Sequence, residues 1–167
     1  MNVAFGSDER TSLTDAVRAL LESGGHRVMA VGPVVTPDEA GPDDVAAEHA
    51  KQWAEVGHDV GALVASGVAD TAVLFCWTGT GASMAANKVP GVRAALCTDA
   101  ATAEGARRWN DANVLVMGLR LTSPELASEM LGAWFAAAPD PGEAANVARL
   151  DASLRGGPPG ASGGSSQ

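Results

Sequence analysis

Short apolar runs alternate with longer amphipathic stretches along this chain. Short runs rich in β-branched residues predict buried strands, and the stretches between them repeat apolar residues at helical spacing. The predicted strands cover residues 2–5, 27–31, 72–75, 92–97 and 113–117. The predicted helices cover 11–22, 45–66, 82–88, 99–109, 124–137 and 142–155, with an interruption of the second at Gly57 or Gly61 left open. Residues 32–44 are rich in proline and acidic residues and predict a loop.

This alternation predicts an α/β fold, a doubly wound five-stranded parallel sheet with helices on both faces, as in a Rossmann-like three-layer sandwich. Residues 1–155 form one predicted domain. Residues 156–167 contain mainly Gly, Pro and Ser and predict a disordered tail. Ligands of such sheets bind at the carboxyl ends of the strands, so Asp8 and Cys76 should converge there.

The chain is organised around the stretch TAVLFCWTGTGASMAANK, residues 71–88. Cys76 ends a predicted strand, and a glycine-rich turn then leads into a helix. Free N–H groups and the positive end of a helix dipole should surround one point there and favour the thiolate form of the cysteine. A base beside a cradle for negative charge is what enolate chemistry needs.

Each of these residues also has a purely structural interpretation. Cys76 could be a small core residue, and Asp8 could cap the first helix. The turn is not a dinucleotide-binding fingerprint, because Met84 stands where the last glycine would be. It is not a Walker A loop either, since no Gly-Lys-Ser/Thr follows.

Charge and cysteine content narrow the classes of function. Eleven Lys and Arg against 20 Asp and Glu give a net charge of −9, which argues against nucleic-acid and anionic-membrane partners. Cys76 and Cys97 make no disulfide framework, and neither a signal peptide nor a membrane span is recognisable, so we expect a cytoplasmic protein. No spacing of His, Cys or carboxylates indicates a metal site.

Four blocks resemble the type B ribose-5-phosphate isomerase and galactose-6-phosphate isomerase family: FGSDE, CWTGTGASMAANK, GVRAALC and RRWNDANVLVMGLR. The resemblance runs from about residue 2 to about residue 151. It implies aldose–ketose isomerisation of a small carbohydrate through a cis-enediolate, without metal or organic cofactor. It also implies a homodimer or a dimer of dimers, in which two subunits share each active site.

The resemblance also assigns roles to individual residues. Cys76 matches the catalytic base, Asp8 an acid that contacts substrate hydroxyls, and Asn110 a substrate-binding residue. The loop whose backbone amides stabilise the enediolate matches Thr78, Gly79, Thr80, Gly81 and Ala82.

Other positions depart from the family pattern. Glu9 replaces a His, and Trp109 replaces the His that helps to open the sugar ring. Of two phosphate-binding Arg, Arg149 aligns with one and Ala145 with the other. Trp53 replaces a Tyr, and Trp77 replaces the Gly after the cysteine.

We therefore expect a site that keeps the enediolate machinery but binds an open-chain α-hydroxycarbonyl, for example one that is non-phosphorylated or carries an apolar or aromatic part. Half-buried packing residues are the structural alternative for Trp53 and Trp109, and charge at a helix end is the alternative for Arg107 and Arg108. Two other functions stay open: a related proton-transfer enzyme such as an epimerase or lyase, and a non-catalytic partner subunit of a heteromeric isomerase.

Overall fold

The computed structural model describes residues 1–152, apart from the side chains of residues 42 and 43. Its strands form one parallel sheet in the order β2-β1-β3-β5-β4, which confirms the predicted doubly wound fold. The strands are β1 Asn2–Ser7, β2 Arg27–Val31, β3 Thr71–Cys76, β4 Ala94–Leu96 and β5 Val114–Gly118. The helices are α1 Ser12–Ser23, α2 Pro37–Ala40, α3 Pro42–Ala50, α4 Trp53–Ala65, α5 Thr80–Ala86, α6 Ala100–Asn110, α7 Pro124–Ala136 and α8 Ala144–Ala152.

Two apolar layers enclose the sheet, because successive residues of a strand face opposite sides. On β3, Val73 and Phe75 pack in the layer that contains the inner faces of α1, α6 and α7. Leu74 and Cys76 pack in the other layer, with α4 and α5. The side chain of Cys76 therefore belongs to the α4–α5 side of the sheet.

Small residues let α4 and α5 approach each other closely. Gly57 and Gly61, two possible helix breaks in the sequence, lie buried within α4. A Cβ atom on Gly57 would come within 2.8 Å of the Ala82 carbonyl oxygen, in the first turn of α5. The α4–α5 contact thus fixes the position of the helix that follows the glycine-rich turn.

The predicted loop over 32–44 is wrong, because it contains a short 3-10 turn, Gly32–Val34, then α2 and the beginning of α3. Pro37 and Pro42 occupy the first position of a helix, where a proline needs no N–H partner. The single helix over 45–66 is also wrong: it ends at Ala50, and a second helix begins at Trp53. Gln52 and Glu55 form the capping box that starts it.

Smaller differences concern the ends of elements. β4 is shorter than the predicted 92–97, and a 3-10 turn, Pro141–Glu143, precedes α8. The predicted tail over 156–167 and the last residues of the predicted helix over 142–155 lie outside the described residues, so both stay predictions.

Candidate active site

The register of the sheet brings Asp8 beside Cys76. β1 and β3 pair in parallel up to Ser7 and Phe75, so the next residue of each strand adjoins the other at the carboxyl edge. A Cβ atom on Gly6 would meet Val60 of α4, and Asp8, two positions further, continues on that same side. The strand register thus places Asp8 next to Cys76 at this edge, and their joint role in a site stays a prediction.

The thiol of Cys76 is less accessible than the sequence suggests. The residue is only 5% exposed in the single chain, and it packs within the α4–α5 layer. The expectation of a thiol facing an open pocket is therefore not met within one chain. The Cys76 carbonyl oxygen accepts hydrogen bonds from the N–H groups of Gly79 (3.2 Å) and Leu119 (3.0 Å).

The glycine-rich turn carries the chain from β3 into α5. Gly79 adopts a positive φ of 79°, which favours glycine, and it precedes the first helical residue. The N–H groups of the first-turn residues Thr80, Gly81 and Ala82 have no carbonyl acceptor within the helix. Thr78 and Thr80 share a hydrogen bond between their hydroxyls at 2.7 Å.

Two of the tryptophans lie at this edge of the sheet. Trp53 begins α4, and its indole covers Gly81, where a Cβ atom would come within 2.9 Å of the ring. Trp53 is 44% exposed and Trp77 57% exposed, so both present apolar surface to solvent. Trp53 therefore packs on the glycine-rich turn and also presents apolar surface at this edge, and its role in a site stays a prediction.

Asp8 does not cap the first helix, because Thr11 does so through a capping box with Thr14. The Asp8 Oδ1 atom is buried and has no hydrogen-bond partner among the described residues. Burial raises the pKa of Asp8, and the nearby charge of exposed Glu9 adds to the effect, although a backbone hydrogen bond works against it. The buried Ser7 hydroxyl donates to the Glu9 carbonyl at 2.7 Å and holds this turn.

The sequence reading missed an ionic network next to Trp53. Lys51 contacts Glu48 at 2.5 Å and Asp59 at 2.8 Å. Glu48 also accepts a hydrogen bond from the Gly32 N–H at 2.7 Å, which ties the end of β2 to α3. Burial disfavours the charge on Lys51, but its hydrogen bonds to both carboxylates outweigh this and raise its pKa. In the sequence, the three-residue spacing of Glu48 and Lys51 could have indicated this ion pair.

Three of the predicted site residues lie at the opposite edge of the sheet. Trp109 and Asn110 end α6, and Asn110 lines a cavity with Ala94, where β4 begins. Cys76 lies at the carboxyl edge, and β5 spans about 13 Å between the two edges at a rise of ~3.3 Å per residue. These groups therefore do not meet Cys76 within one chain. Exposed Arg149 lies on α8, where its guanidinium donates to Asn146 Oδ1 at 3.3 Å.

Arg107, at the end of α6, has a structural role. Its guanidinium donates to the Ala112 carbonyl at 2.5 Å and lies 5.3 Å from the centre of the Trp134 ring. This agrees with the interpretation of Arg107 as charge at a helix end.

Parts of the family-like blocks are structural as well. The Asn87 amide donates to the Ala94 carbonyl and accepts from the Ala94 N–H, both at 2.8 Å. The Asn113 carbonyl-type oxygen accepts from the Arg93 N–H at 2.8 Å. Both asparagines fix the amino end of short β4.

Residues 1–152 contain neither a metal-binding cluster nor a membrane-spanning helix. No group of three or more His, Cys, Asp or Glu is arranged to hold a metal ion. None of the helices there is long and apolar enough to cross a membrane.

The chain belongs to the Ribose/Galactose Isomerase family, whose sequence profile matches residues 3–152. Among solved structures, the ribose-5-phosphate isomerase B of Clostridium thermocellum superposes with a TM-score of 0.78. The two chains are 30% identical over 91% of this chain and 96% of that one. Fold and sequence thus agree on the family.

Two curated relatives of this chain are named for isomerases of different sugars. The chain is 35% identical to a 4-deoxy-4-sulfo-D-erythrose isomerase from Clostridium sp., over 78% of this chain and 76% of that protein. It is 40% identical to a D-erythrulose-4-phosphate isomerase from Pectobacterium atrosepticum, over 49% of this chain and 54% of that protein. The chain spans about half the length of the first curated relatives that it matches.

Proposed function

We propose that this protein is an aldose–ketose isomerase that acts on an open-chain sugar through a cis-enediolate. The observation that carries the proposal is the convergence of Cys76, Asp8 and the first turn of α5 at one edge of the sheet. A small metabolite is the partner that fits such an edge, and the negative net charge speaks against nucleic acid.

In this proposal the Cys76 thiolate removes a proton from the carbon beside the substrate carbonyl. It returns the proton to the neighbouring carbon, and the low exposure of the thiol keeps water away from the proton in transit. Negative charge that develops on the two oxygens is stabilised by the N–H groups of Thr80, Gly81 and Ala82. The N–H of Gly79 already donates to Cys76, so Gly79 serves the turn instead.

Asp8 binds a substrate hydroxyl in this scheme. Its buried Oδ1 atom lacks a partner among the described residues, and a hydroxyl group would supply one. Thr78 holds the Thr80 hydroxyl at the start of α5, and Trp53 and Trp77 wall the site.

We propose further that a second copy of this chain completes the site with Trp109, Asn110 and Arg149. The separation of these residues from Cys76 supports this, because one chain cannot bring the two sheet edges together. A homodimer, or a dimer of dimers, satisfies the requirement.

The substrate is open-chain, because Trp109 offers no group that exchanges protons during ring opening. Both relatives described above are named for four-carbon sugars whose C4 oxygen is esterified or replaced. Such sugars cannot close a furanose ring through O4 and stay open. We propose as the substrate a four-carbon α-hydroxycarbonyl whose C4 carries no free hydroxyl group.

Deuterium exchange tests the proposal. In D₂O the protein should exchange the carbon-bound hydrogen of D-erythrulose 4-phosphate and convert the ketose to the aldose, with little turnover of ribose 5-phosphate. Cys76→Ser should lower exchange at least about 100-fold while keeping its melting temperature and substrate affinity. Rapid exchange by the Cys76→Ser variant would remove Cys76 from the role of base, and efficient turnover of ribose 5-phosphate would contradict the open-chain substrate.

The same assay separates the two alternatives. Exchange without aldose–ketose conversion would favour an epimerase or lyase. Absence of exchange until a related second chain is added would favour a partner subunit of a heteromeric isomerase, an alternative that the departures at Glu9 and Trp109 keep open.

A further inference from the structure

A cavity of about 270 Å³ opens at the carboxyl edge on the α7 side of the sheet. Its walls are largely apolar and include Trp77, Leu96, Cys97, Gly118, Leu121 and Leu126. Hydroxyls of nearby threonines and the Arg120 guanidinium provide its polar groups. A buried apolar cavity of ~150 Å³ suffices for a benzene ring, so this one has room for a phenyl-sized group.

This cavity shares a wall with the loop that follows Cys76. Thr78 lines the cavity, and its hydroxyl bonds to Thr80 at the start of α5. The N–H of Arg120 donates to the Trp77 carbonyl at 3.0 Å, which joins the loop after β5 to the loop after β3. Gly118, which also lines the cavity, pairs with Cys76 in the sheet, so the cavity opens next to the strand end that carries Cys76.

The floor of the cavity disfavours negative charge. Cys97, which is only 1% exposed, lies there, and its burial raises the pKa of the thiol to about 11, with a smaller effect of Asp99. An environment that opposes a thiolate opposes other anions for the same reason. The only cationic group lining this cavity, among the described residues, is the exposed Arg120. A phosphate dianion would need more donors than the floor supplies.

We propose that this cavity is a specificity subsite that binds an uncharged apolar substituent, of about phenyl size, on the substrate carbon farthest from the carbonyl. The inference rests on the proposed isomerase function and adds the chemical class of the C4 group. Trp77 and Leu121, 57% and 78% exposed, form the rim and determine this specificity.

Binding to the Cys76→Ser variant tests the subsite without turnover. The probes are D-erythrulose, D-erythrulose 4-phosphate and 1,3-dihydroxy-4-phenylbutan-2-one, which share one α-hydroxyketone and differ only at C4. By titration calorimetry we expect the phenyl compound to bind at least about tenfold more tightly than D-erythrulose. Adding Leu121→Ala should abolish most of that ratio and leave D-erythrulose affinity within about twofold. Trp77→Ala should also lower the ratio.

Leu20→Ala is the matched control, because Leu20 is also an exposed leucine but lies on α1 away from the cavity. It should preserve the ratio. Tighter binding of the phosphate than of the phenyl compound, or a ratio that Trp77→Ala and Leu121→Ala leave unchanged, would overturn the proposal.

Deuterium exchange with the unmodified protein separates this proposal from the proposed function. Exchange on all three probes, with no preference for phenyl in kcat/KM, would overturn the subsite and leave the isomerase. No exchange on any probe would overturn the isomerase as the function of the chain alone. The calorimetric ratio would then still decide whether the cavity binds the phenyl group.

Discussion

Replacing Gly57 by Ala should weaken the contact that positions α5. The new Cβ atom would lie 2.8 Å from the Ala82 carbonyl oxygen and 2.9 Å from the Ala85 Cβ. A backbone oxygen cannot rotate away, so α5 itself must move. Overpacking of this kind costs up to about 3 kcal/mol, and the better helix propensity of Ala returns about 1 kcal/mol. The free energy of unfolding should therefore fall by about 2 kcal/mol.

Thermal unfolding and deuterium exchange measure the two consequences. A loss of about 2 kcal/mol should lower the melting temperature by roughly 4–8 °C in a domain of this size. Because Ala82 contributes one of the proposed amide donors, kcat should fall about tenfold or more. Gly132→Ala is the control: Gly132 lies exposed on α7 with nothing near a new Cβ, so Ala should stabilise by about 1 kcal/mol. If the two substitutions had the same effect, close packing would not be what demands glycine at 57.

Three further predictions concern stability. Asp8→Asn should raise the melting temperature at neutral pH, because burial raises the pKa of Asp8 and disfavours its carboxylate; the gain should disappear below about pH 4, where Asp8 is neutral in both states. A gain that grew towards acid pH would contradict this. Thr71→Val should cost about 1–3 kcal/mol in urea unfolding, since buried Trp134 donates to the Thr71 hydroxyl at 3.2 Å; an unchanged midpoint would argue against it. Asn87→Ala should speed amide exchange at Ala94 ahead of β3, and uniform exchange across the sheet would refute the local role.

Strand positions could be predicted because parallel strands are buried on both faces and so appear as apolar runs. The helices between residues 37 and 50 could not, because proline and acidic residues are common both in loops and in the first turn of a helix. Glu55 completes the capping box of α4, and this residue in the sequence indicates that a new helix begins near Trp53.

The candidate site was predicted in part. The convergence of Asp8 with Cys76 follows from strand order alone. The low exposure of Cys76 depends on how closely α4 and α5 pack. The positions of the glycines in the sequence do not show how closely two helices will pack. The placement of Trp109 at the far edge follows from the direction of α6, which runs from the carboxyl edge to the amino edge. Similarity to family motifs identifies residues such as Trp109 by their chemistry. It does not show which chain of a dimer supplies them to a site.

Because the proposed site draws on both edges of the sheet, two defective chains should repair each other. A chain with Cys76→Ser still has an unchanged Asn110, and a chain with Asn110→Ala still has the Cys76 thiol. In mixed dimers each pair would rebuild one complete site out of two, so an equal mixture should regain about a quarter of the original activity after subunit exchange. If each site were built from one chain, the same mixture would show no activity.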